Sequence, residues 1–376
     1  MFREAVESGT FVATCEFVPG RGMGGPSLDA PLSFARDIVA LGLPVHAVSL
    51  TDNPGGNPAV SPDIIAGEIQ AAGVDALVHF SCRDRNRNAL ESRAMSLARA
   101  GINNVLVLTG DFTEGGYRGN AEPVFDLDCV QALRYLSEMN AGLEVPGRKK
   151  GVSEHLPPTH FFLGAAVSPF KFTEEELMPQ FFKLEKKVAS GAGFIVTQLG
   201  YDMRKFYEVK RYLASRNIQV PVLGNVYVLS AGAARAMNSG AVPGCVVTDE
   251  LRDVLQEEAT ASDKGKAQRL ERAAKMTAMF KGMGFSGVHI GGFGLKADDF
   301  RFVLERAVEL ESRWQEFTPE VAFGREGEFY AFPPPTDYAP DASETDPLTR
   351  VTPAHKPLAY RIGKLAHRSL FQRRSV

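Results

Sequence analysis

Short apolar runs rich in β-branched and aromatic residues alternate along the chain with longer segments whose apolar residues recur at helical spacing. Most of the short runs are continuous rather than alternating, which is typical of parallel strands that are covered on both faces. The predicted strands are Phe11–Phe17, His46–Leu50, Ala76–Ser81, Val105–Leu108, Phe161–Ala166, Phe194–Gln198, Val220–Leu223 and Gly287–Ile290.

Predicted helices separate these strands, and several begin at recognisable signals, such as the capping-box sequence from Thr173 to Glu176. They are Ser27–Leu41, Asp63–Ala72, Asn88–Ala100, Leu127–Ala141, Thr173–Ser190, Met203–Ser215, Ser230–Ser239, Lys264–Met283 and Lys296–Glu316. The alternation predicts an α/β fold of the (β/α)8 TIM barrel type. A doubly wound open sheet is the competing architecture, but no GxGxxG motif follows the first strand.

We predict that the barrel spans residues 1–317 and that residues 318–376 form a C-terminal extension. The barrel carries two insertions, a basic loop at Lys149–Pro158 and an extra helix within Thr248–Gly265. In the extension, Phe332–Thr352 is rich in Pro, Asp and Thr, which indicates a linker or a strap lying on the barrel, and Pro357–Arg374 has a basic amphipathic pattern. That predicted helix docks on the barrel or on a partner subunit, or it contacts a membrane surface or another protein.

Composition places the chain among ordinary globular proteins, with 376 residues, 44% hydrophobic and 23% charged. The formal net charge of -3 argues against a general nucleic-acid binder. The four cysteines form no CxxC pair, and we predict no metal site. The N-terminus lacks a signal-peptide pattern and no apolar run reaches about 18 residues, which predicts a cytoplasmic enzyme without a membrane span.

Three polar side chains stand at the ends of predicted strands. Glu16 ends the first strand, Asp111 follows the fourth after a Thr-Gly pair, and Gln198 ends the sixth. Catalytic groups of a (β/α)8 barrel lie at the C-terminal ends of its strands, so we expect these three side chains in one pocket.

Each of the three has two interpretations. Glu16 is a general acid if an apolar pocket raises its pKa, or it forms an ion pair with an arginine such as Arg21. Asp111 lies beside a ring nitrogen or a cationic intermediate, or it caps a turn. Gln198 presents a donor and an acceptor to the edge of a heterocycle, or it hydrogen-bonds to loop backbone.

Further charged residues also have two interpretations each. His79 is a core histidine or a ligand contact, and the charged run Arg83–Arg87 holds a diphosphate or begins a solvated helix. Lys183, Lys186 and Lys187 fall on the helix before the sixth strand. Because Lys183 and Lys187 share a face, they form either a phosphate clamp or a solvated surface.

Six short motifs occur in order on the expected strands: Cys15–Pro19, Val48–Thr51, Val78–Cys82, Leu108–Asp111, Gly164–Ala166 followed by Pro169, and Gly191–Gln198. From about Phe11 to Leu310, the chain resembles the methylenetetrahydrofolate reductase family through these motifs. The last of the six is the closest match.

The resemblance implies a flavin-dependent barrel that binds FAD and reduces 5,10-methylenetetrahydrofolate to 5-methyltetrahydrofolate, with NADH or NADPH as the electron donor. By motif position, Glu16 would protonate the folate amine, Asp111 would contact pterin and flavin, and Gln198 would hold the pterin. The residues that the resemblance places at the flavin are Thr51, His79, Thr109, Gly110, Asp111, Ala166 and Lys187, the last of these near the diphosphate.

The chain departs from the family pattern in three places. Thr109 replaces an arginine before Gly-Asp, Val167–Lys171 lacks the usual Tyr and His, and His289–Gly292 replaces an aromatic end of the last strand. These departures leave open a flavin-free folate-binding barrel that transfers a methyl or one-carbon unit with a partner protein. A non-enzymatic subunit that docks such a partner through Pro357–Arg374 is a third possibility. We expect a folate ligand, and a homo-oligomer or a complex formed through the C-terminal extension.

Overall fold

Parallel strands close into a barrel in the computed structural model, which describes residues 1–338. The strands are β1 (Val12–Phe17), β2 (Ala47–Leu50), β3 (Asp75–Ser81), β4 (Asn104–Leu108), β5 (Phe162–Val167), β6 (Phe194–Thr197), β7 (Val222–Tyr227) and β8 (Gly287–Gly291). Each pairs in parallel with its neighbours in chain order, and β8 pairs with β1. The predicted (β/α)8 barrel is confirmed.

Helices fill the connections between the strands. They are α1 (Phe2–Glu7), α2 (Pro26–Ala40), α3 (Pro62–Ala71), α4 (Arg87–Arg99), α5 (Cys129–Ala141), α6 (Glu174–Ala189), α7 (Met203–Ser215), α8 (Ala231–Asn238), α9 (Asp249–Glu258), α10 (Lys266–Gly282) and α11 (Ala297–Leu310). The capping box predicted at α6 is present, since the Thr173 hydroxyl accepts the N–H of Glu176 at 3.3 Å. Within residues 1–338, none of the helices combines the length and apolarity that crossing a bilayer requires.

The short helix α1 closes the N-terminal end of the barrel. Phe2 is fully buried, and its ring meets those of Phe162 and Phe194 edge to face at centroid distances of 5.8 and 5.2 Å. The Phe2 N–H also donates to the carboxylate of Asp75 at 2.7 Å. Because apolar side chains fill this end, the polar residues at the C-terminal ends of the strands surround an opening, which we call the mouth.

The seventh strand differs from its prediction, Val220–Leu223, because it begins at Val222 and continues to Tyr227. A glycine at position 224 favours the end of a strand, but here the absence of a side chain is required by packing. A Cβ on Gly224 would lie 2.4 Å from the ring of Phe280. The strand therefore continues past the glycine, under the cover of α10.

Both predicted insertions have regular structure. The segment Lys149–Pro158, expected as a loop, contains one strand of an antiparallel hairpin in which Glu144–Pro146 pairs with Ser153–His155. The extra helix predicted within Thr248–Gly265 is confirmed as α9.

Residues 322–338, which we call the strap segment, lie against α7 and the loops after β5 and β6. They follow a 3-10 segment, Glu311–Val321, where the predicted helix Lys296–Glu316 loses its α-helical hydrogen bonds after Leu310. Two backbone hydrogen bonds of 2.9 Å hold the strap segment, from Phe323 to the Tyr201 carbonyl and from Phe329 to the Phe172 carbonyl. The domain boundary at residue 317 stays a prediction, and the predicted helix at 357–374 lies outside the described residues.

Charged side chains are buried where the strap segment covers α7. Lys205 is fully buried and forms an ion pair with Glu328 at 3.4 Å. Glu208 accepts the N–H of Phe332 at 2.9 Å through Oε1, whereas its Oε2 has no partner. Burial raises the pKa of Glu208 to about 7, and the charge of Asp202 adds to this rise. The hydrogen bond from Phe332 and the charges of Lys205 and Arg204 lower the pKa in part.

We expect Phe2→Ala to lower the free energy of unfolding by about 3–5 kcal/mol, because truncation leaves a cavity between two phenyl rings that α1 cannot refill. Urea denaturation followed by circular dichroism measures the change. Met23→Ala is the control, since that side chain is fully exposed and its loss should change stability by less than about 0.5 kcal/mol. Equal stability of the two variants would contradict the conclusion that the Phe2 side chain closes the N-terminal end of the barrel.

We also expect Glu208 to make stability depend on pH. Its folded pKa of about 7 lies above the ordinary value of 4.5, so its contribution is fully present below 4.5 and is lost as the pH rises through 7. Glu208→Gln keeps the acceptor for Phe332 and removes the titration. Its gain in urea midpoint over wild type should therefore grow as the pH rises from acidic to slightly alkaline values.

The matched control is Glu68→Gln, in which an exposed carboxylate of α3 is neutralised instead. A difference between Glu208→Gln and wild type that stays constant across this pH range would show that Glu208 does not titrate there.

Candidate active site

Glu16 lies in the mouth between two histidines. Its Oε2 is 3.1 Å from Nε2 of His289 on β8 and 3.7 Å from Nε2 of His79 on β3. Both imidazoles are buried, while the Glu16 side chain retains 23% of its exposure. The alternative partner, Arg21, is exposed and forms no ion pair with Glu16 among the described residues. The partners of Glu16 are therefore two imidazoles rather than Arg21.

The pairing of β1 with β8 sets this geometry. Thr14 and His289 are directly opposite each other in the register of the two strands, and Thr14 Oγ1 lies 2.7 Å from His289 Nδ1. An ionised carboxylate only accepts hydrogen bonds, so we assign a proton to Nε2 of His289, which donates it to Glu16. Thr14, His289 and Glu16 thus form a continuous hydrogen-bonded chain.

The pKa of Glu16 is lowered rather than raised. Burial raises it, but the hydrogen bond from His289 and the charges of the His289 and His79 imidazoles together outweigh that effect. Burial lowers the pKa of His79 to about 4, against the attraction of Glu16, so His79 is neutral at pH 7. His289 is therefore the partner that decides the ionisation of Glu16. The condition attached to the general-acid interpretation, a pocket that raises the pKa, is not met in the free protein.

The same three side chains could ligate a metal ion, because one ligand atom from each lies within 4.8 Å of the others. Two imidazoles and a carboxylate suit Zn²⁺ or Fe²⁺. Here Nε2 of His289 already donates to Glu16, and Nε2 of His79 lies 3.0 Å from Ser49 Oγ. Hydrogen bonds thus satisfy the cluster without a cation. That the chain holds no metal stays a prediction.

Asp111 and Gln198 occupy loops that follow β4 and β6. Asp111 is exposed, and its backbone carbonyl accepts a hydrogen bond from Arg83 Nη1 at 3.1 Å. The protein atoms around its carboxyl group nevertheless exclude part of the solvent and so raise its pKa, although the charge of Arg83 opposes this rise. The Oε1 of Gln198 accepts the N–H of Leu199 at 2.9 Å, which leaves its amide nitrogen as the end that can donate.

The connection between α8 and α9 lies beside Gln198, because a Cβ on Gly244 would lie 3.4 Å from Nε2 of Gln198. On the same connection, the pKa of Cys245 is raised to about 12 by burial and by the charges of Glu16 and Asp111. Glu16 on β1, Asp111 after β4 and Gln198 after β6 all lie at the C-terminal ends of strands of one closed barrel, and so at one mouth. Their roles remain predictions.

The positions that the resemblance assigns to a flavin are only partly free of protein contacts. The hydroxyl of Thr51, at the end of β2, is buried without a partner, as is that of Ser81 at the end of β3. Gly110 has a φ of +94°, and a Cβ there would lie 2.4 Å from Ser81 Oγ, so only glycine lets the β4 loop approach this closely. The Thr109 hydroxyl instead accepts the N–H of Cys129 at 3.2 Å.

Lys187, predicted near a diphosphate, is buried in α6 and donates from Nζ to the carbonyl of Ala166. Burial lowers the pKa of Lys187, with an opposing effect of Cys129. On the same helix face, Lys183 pairs with Asp128 at 3.2 Å. The interpretation of this face as solvated is wrong for Lys187, and its contact with a cofactor stays a prediction.

The charged run Arg83–Arg87 divides between two environments. The Arg83 side chain is only 1% exposed, whereas Arg87 is 66% exposed and begins α4, as the interpretation of a solvated helix start predicts. Each arginine of the run already holds a carboxylate, so binding a diphosphate would require an ion pair to open. The pairs are Arg83 with Asp84 at 2.7 Å, Arg85 with Asp52 at 3.0 Å, and Arg87 with Asp126 at 2.8 Å.

Two residues of the mouth do not stand out in the sequence as site residues. His289 carries a usable signal, since it is a polar residue within an apolar strand, as Glu16 is in the first strand. Cys245 carries none, because its position depends on how the connection between α8 and α9 folds back over the strands.

Comparison with known proteins connects this site to a family. A family model described as methylenetetrahydrofolate reductase matches residues 1–297. The matched region contains all strands of the barrel and the residues of the mouth.

A relative and a solved structure agree with that match. Methylenetetrahydrofolate reductase 1 from Schizosaccharomyces pombe is 24% identical over 212 residues, which are 54% of this chain and 32% of the relative. The match thus spans about a third of the relative's length. An uncharacterised protein from Clostridium thermocellum that binds two copies of 5-methyl-5,6,7,8-tetrahydrofolic acid has a TM-score of 0.54 at 11% identity, covering 83% of this chain and 99% of that protein. That likeness concerns the fold alone, whereas the family match extends over most of the sequence. The chain therefore belongs to the methylenetetrahydrofolate reductase family.

Proposed function

We propose that this protein reduces 5,10-methylenetetrahydrofolate to 5-methyltetrahydrofolate. The observation that supports this most directly is that Glu16, Asp111 and Gln198 all lie at or just after the C-terminal ends of strands of one closed barrel, β1, β4 and β6. A proton donor, a fixed negative charge and an amide are the groups that opening and recognising this folate require. Family membership supports the same class of reaction.

In this proposal, Asp111 and Gln198 recognise the pterin. The carboxylate of Asp111 is exposed at the rim, so it is available to accept hydrogen bonds from ring N–H groups. Gln198 has its oxygen fixed by the Leu199 N–H, so its amide nitrogen is presented as a donor to a ring nitrogen or oxygen. One acceptor and one donor, on the loops that follow two different strands, define the orientation of a flat ring.

Glu16 provides the proton that opens the five-membered ring of the substrate. The proton passes to N10, the bond between N10 and the bridging methylene carbon breaks, and the electron pair of N5 forms an iminium cation with that carbon. A hydride delivered to the same carbon then produces the methyl group. The substrate gains one proton and one hydride in total, and the charge of Asp111 favours the cationic intermediate.

The lowered pKa makes Glu16 a carboxylate in the free protein at neutral pH. It must therefore acquire a proton from solvent when the substrate binds, while Nε2 of His289, 3.1 Å from Oε2, keeps its hydrogen bond to the carboxyl group. A ring that covers the mouth increases the burial of Glu16, and burial is already the largest influence that raises its pKa. Substrate binding thus favours the protonated form that the reaction uses.

A second flat ring beside the pterin is supported by the hydroxyls of Thr51 and Ser81, which are buried without partners. Thr51, His79, Gly110 and Ala166 would hold the isoalloxazine of FAD there. When bound, FAD would supply the hydride, with NADH or NADPH as its source.

The fit is poorer for the diphosphate of FAD. Arg83 and Lys183 are held by carboxylates, and Lys187 is held by a backbone carbonyl. Thr109 adds no positive charge where the family has arginine. These observations favour, as the second candidate, a flavin-free folate-binding barrel that transfers a methyl or one-carbon unit with a partner protein.

We expect Glu16→Gln to abolish folate reduction and to leave the oxidation of NADH or NADPH by bound flavin nearly unchanged, because only the folate step needs the acid. Rapid-mixing absorbance of the flavin follows the two half-reactions separately. Glu68→Gln, on the exposed face of α3, is the matched control. Similar losses in both half-reactions would make Glu16 a structural residue.

The purified wild-type protein distinguishes the two candidate functions in the same experiment. Flavin absorbance near one equivalent per chain, bleached by NADH or NADPH, supports the reductase. A colourless protein that binds 5-methyltetrahydrofolate supports the flavin-free barrel and rules out the reduction through FAD.

We further expect His289→Phe to raise the pKa of Glu16, because the burial that raises it remains while the hydrogen bond and the charge that lower it are lost. His289→Gln, which retains an N–H donor, should raise it less. Carboxyl-carbon NMR titration measures both, with the Glu16 signal identified by its loss in Glu16→Gln. An unchanged pKa in His289→Phe would contradict the assigned hydrogen bond.

A further inference from the structure

We propose that residues 242–247, named here the mouth loop, form one wall of the folate pocket beside the Gln198 amide. This inference rests on the proposed function, whose chemistry does not itself require the loop. It assigns a binding role to a segment between two helices, away from the strand ends that carry Glu16, Asp111 and Gln198.

The mouth loop is fixed at its base. Asn238, the last residue of α8, donates from Nδ2 to the carbonyl of Val247 and to the carboxylate of Asp249, both at 3.0 Å. Arg252 in turn donates to Oδ1 of Asn238 at 2.8 Å. Val247 is buried against the core. These contacts hold the two ends of the loop together and set where its tip lies.

The tip of the mouth loop lies against Gln198. Gly244 has a φ of +74°, and a Cβ at this position would approach Nε2 of Gln198 to 3.4 Å. That nitrogen is the end of the amide left free to donate, because Oε1 is bound to the Leu199 N–H. A ligand that uses the Gln198 amide must therefore lie beside the backbone of Gly244.

The next residue, Cys245, is partly buried and packs against the hydrophobic core. Burial raises the pKa of its thiol to about 12, and the charges of Glu16 and Asp111 add to this effect. The thiol is therefore neutral at pH 7 and adds no negative charge to the mouth loop. As the residue after Gly244, it reports whether a ligand covers this loop.

Independent features of the mouth indicate that a polar ligand enters it. The hydroxyls of Thr51 and Ser81 are buried, with residue exposures of 8% and 2%, and neither has a hydrogen-bond partner. Ser81 Oγ lies directly beneath Gly110, the residue before Asp111. Buried hydroxyls are normally paired, so these two are available to a bound molecule.

The first test compares two glycines with the same strained backbone. Gly240 has a φ of +79° and nothing within 4 Å of a Cβ, whereas a Cβ on Gly244 meets Gln198. We expect Gly244→Val to weaken the binding of 5-methyltetrahydrofolate, measured by isothermal titration calorimetry, by about tenfold or more, a change of about 1.4 kcal/mol. Gly240→Val should stay within about twofold of wild type. Equal losses in the two variants would overturn the inference.

The second test follows the modification of Cys245 by N-ethylmaleimide, with peptide mapping, until half of the ligand-free protein has reacted. Cys15, Cys82 and Cys129 are buried and report any unfolding. Saturating 5-methyltetrahydrofolate should slow the reaction of Cys245 about tenfold or more. If the wild-type protein binds the folate but Cys245 reacts at an unchanged rate, the inference fails and the proposed function stands. If the wild-type protein does not bind it, both fail.

Discussion

The hydrogen-bonded closure of the barrel between β1 and β8 is the constraint on which the site depends. Cys15 pairs with Ile290 in this register, and Thr14 pairs with His289. The closure therefore joins Glu16 to a histidine that is 273 residues away in the chain. A shift by one residue would turn His289 away from the barrel interior and leave Glu16 without the hydrogen bond that controls its ionisation.

The sequence was sufficient for the fold and for the side chains that end strands, but not for partners that depend on register. Continuous apolar runs located the strands, and Glu16, Asp111 and Gln198 were visible because each interrupts or ends such a run. The partner of Glu16 was not visible, because strand pairing between residues so far apart leaves no local pattern. The continuation of β7 past Gly224 was not visible for the same reason, because it depends on the Phe280 ring that packs against this glycine. The burial of Arg83 likewise depends on neighbouring loops, whose carbonyls at Asn53 and Asp111 accept its hydrogen bonds.

Charges near the mouth are arranged in two groups. The arginines below the β2 and β3 loops are neutralised by carboxylates, as in Asp52, which binds Arg85 at 3.0 Å and Arg93 at 2.6 Å. The carboxylates of Glu16 and Asp111 face the opening instead, with imidazoles and a thiol around them. The opening is consequently suited to a positively charged intermediate, while the paired cations hold its loops in place.

The hydrogen bonds of the strap segment have a consequence for dissecting this protein into fragments. The family match ends at residue 297, yet Asp202, beside the mouth, accepts the Tyr330 hydroxyl at 2.6 Å, and Lys205 forms an ion pair with Glu328 at 3.4 Å. A gene trimmed to the family boundary would encode a barrel in which Lys205 keeps the Lys171 carbonyl and Asp202 keeps the Arg204 N–H, while each loses a partner that the strap segment supplies. A fragment that retains these buried contacts must therefore extend beyond the region by which relatives are recognised.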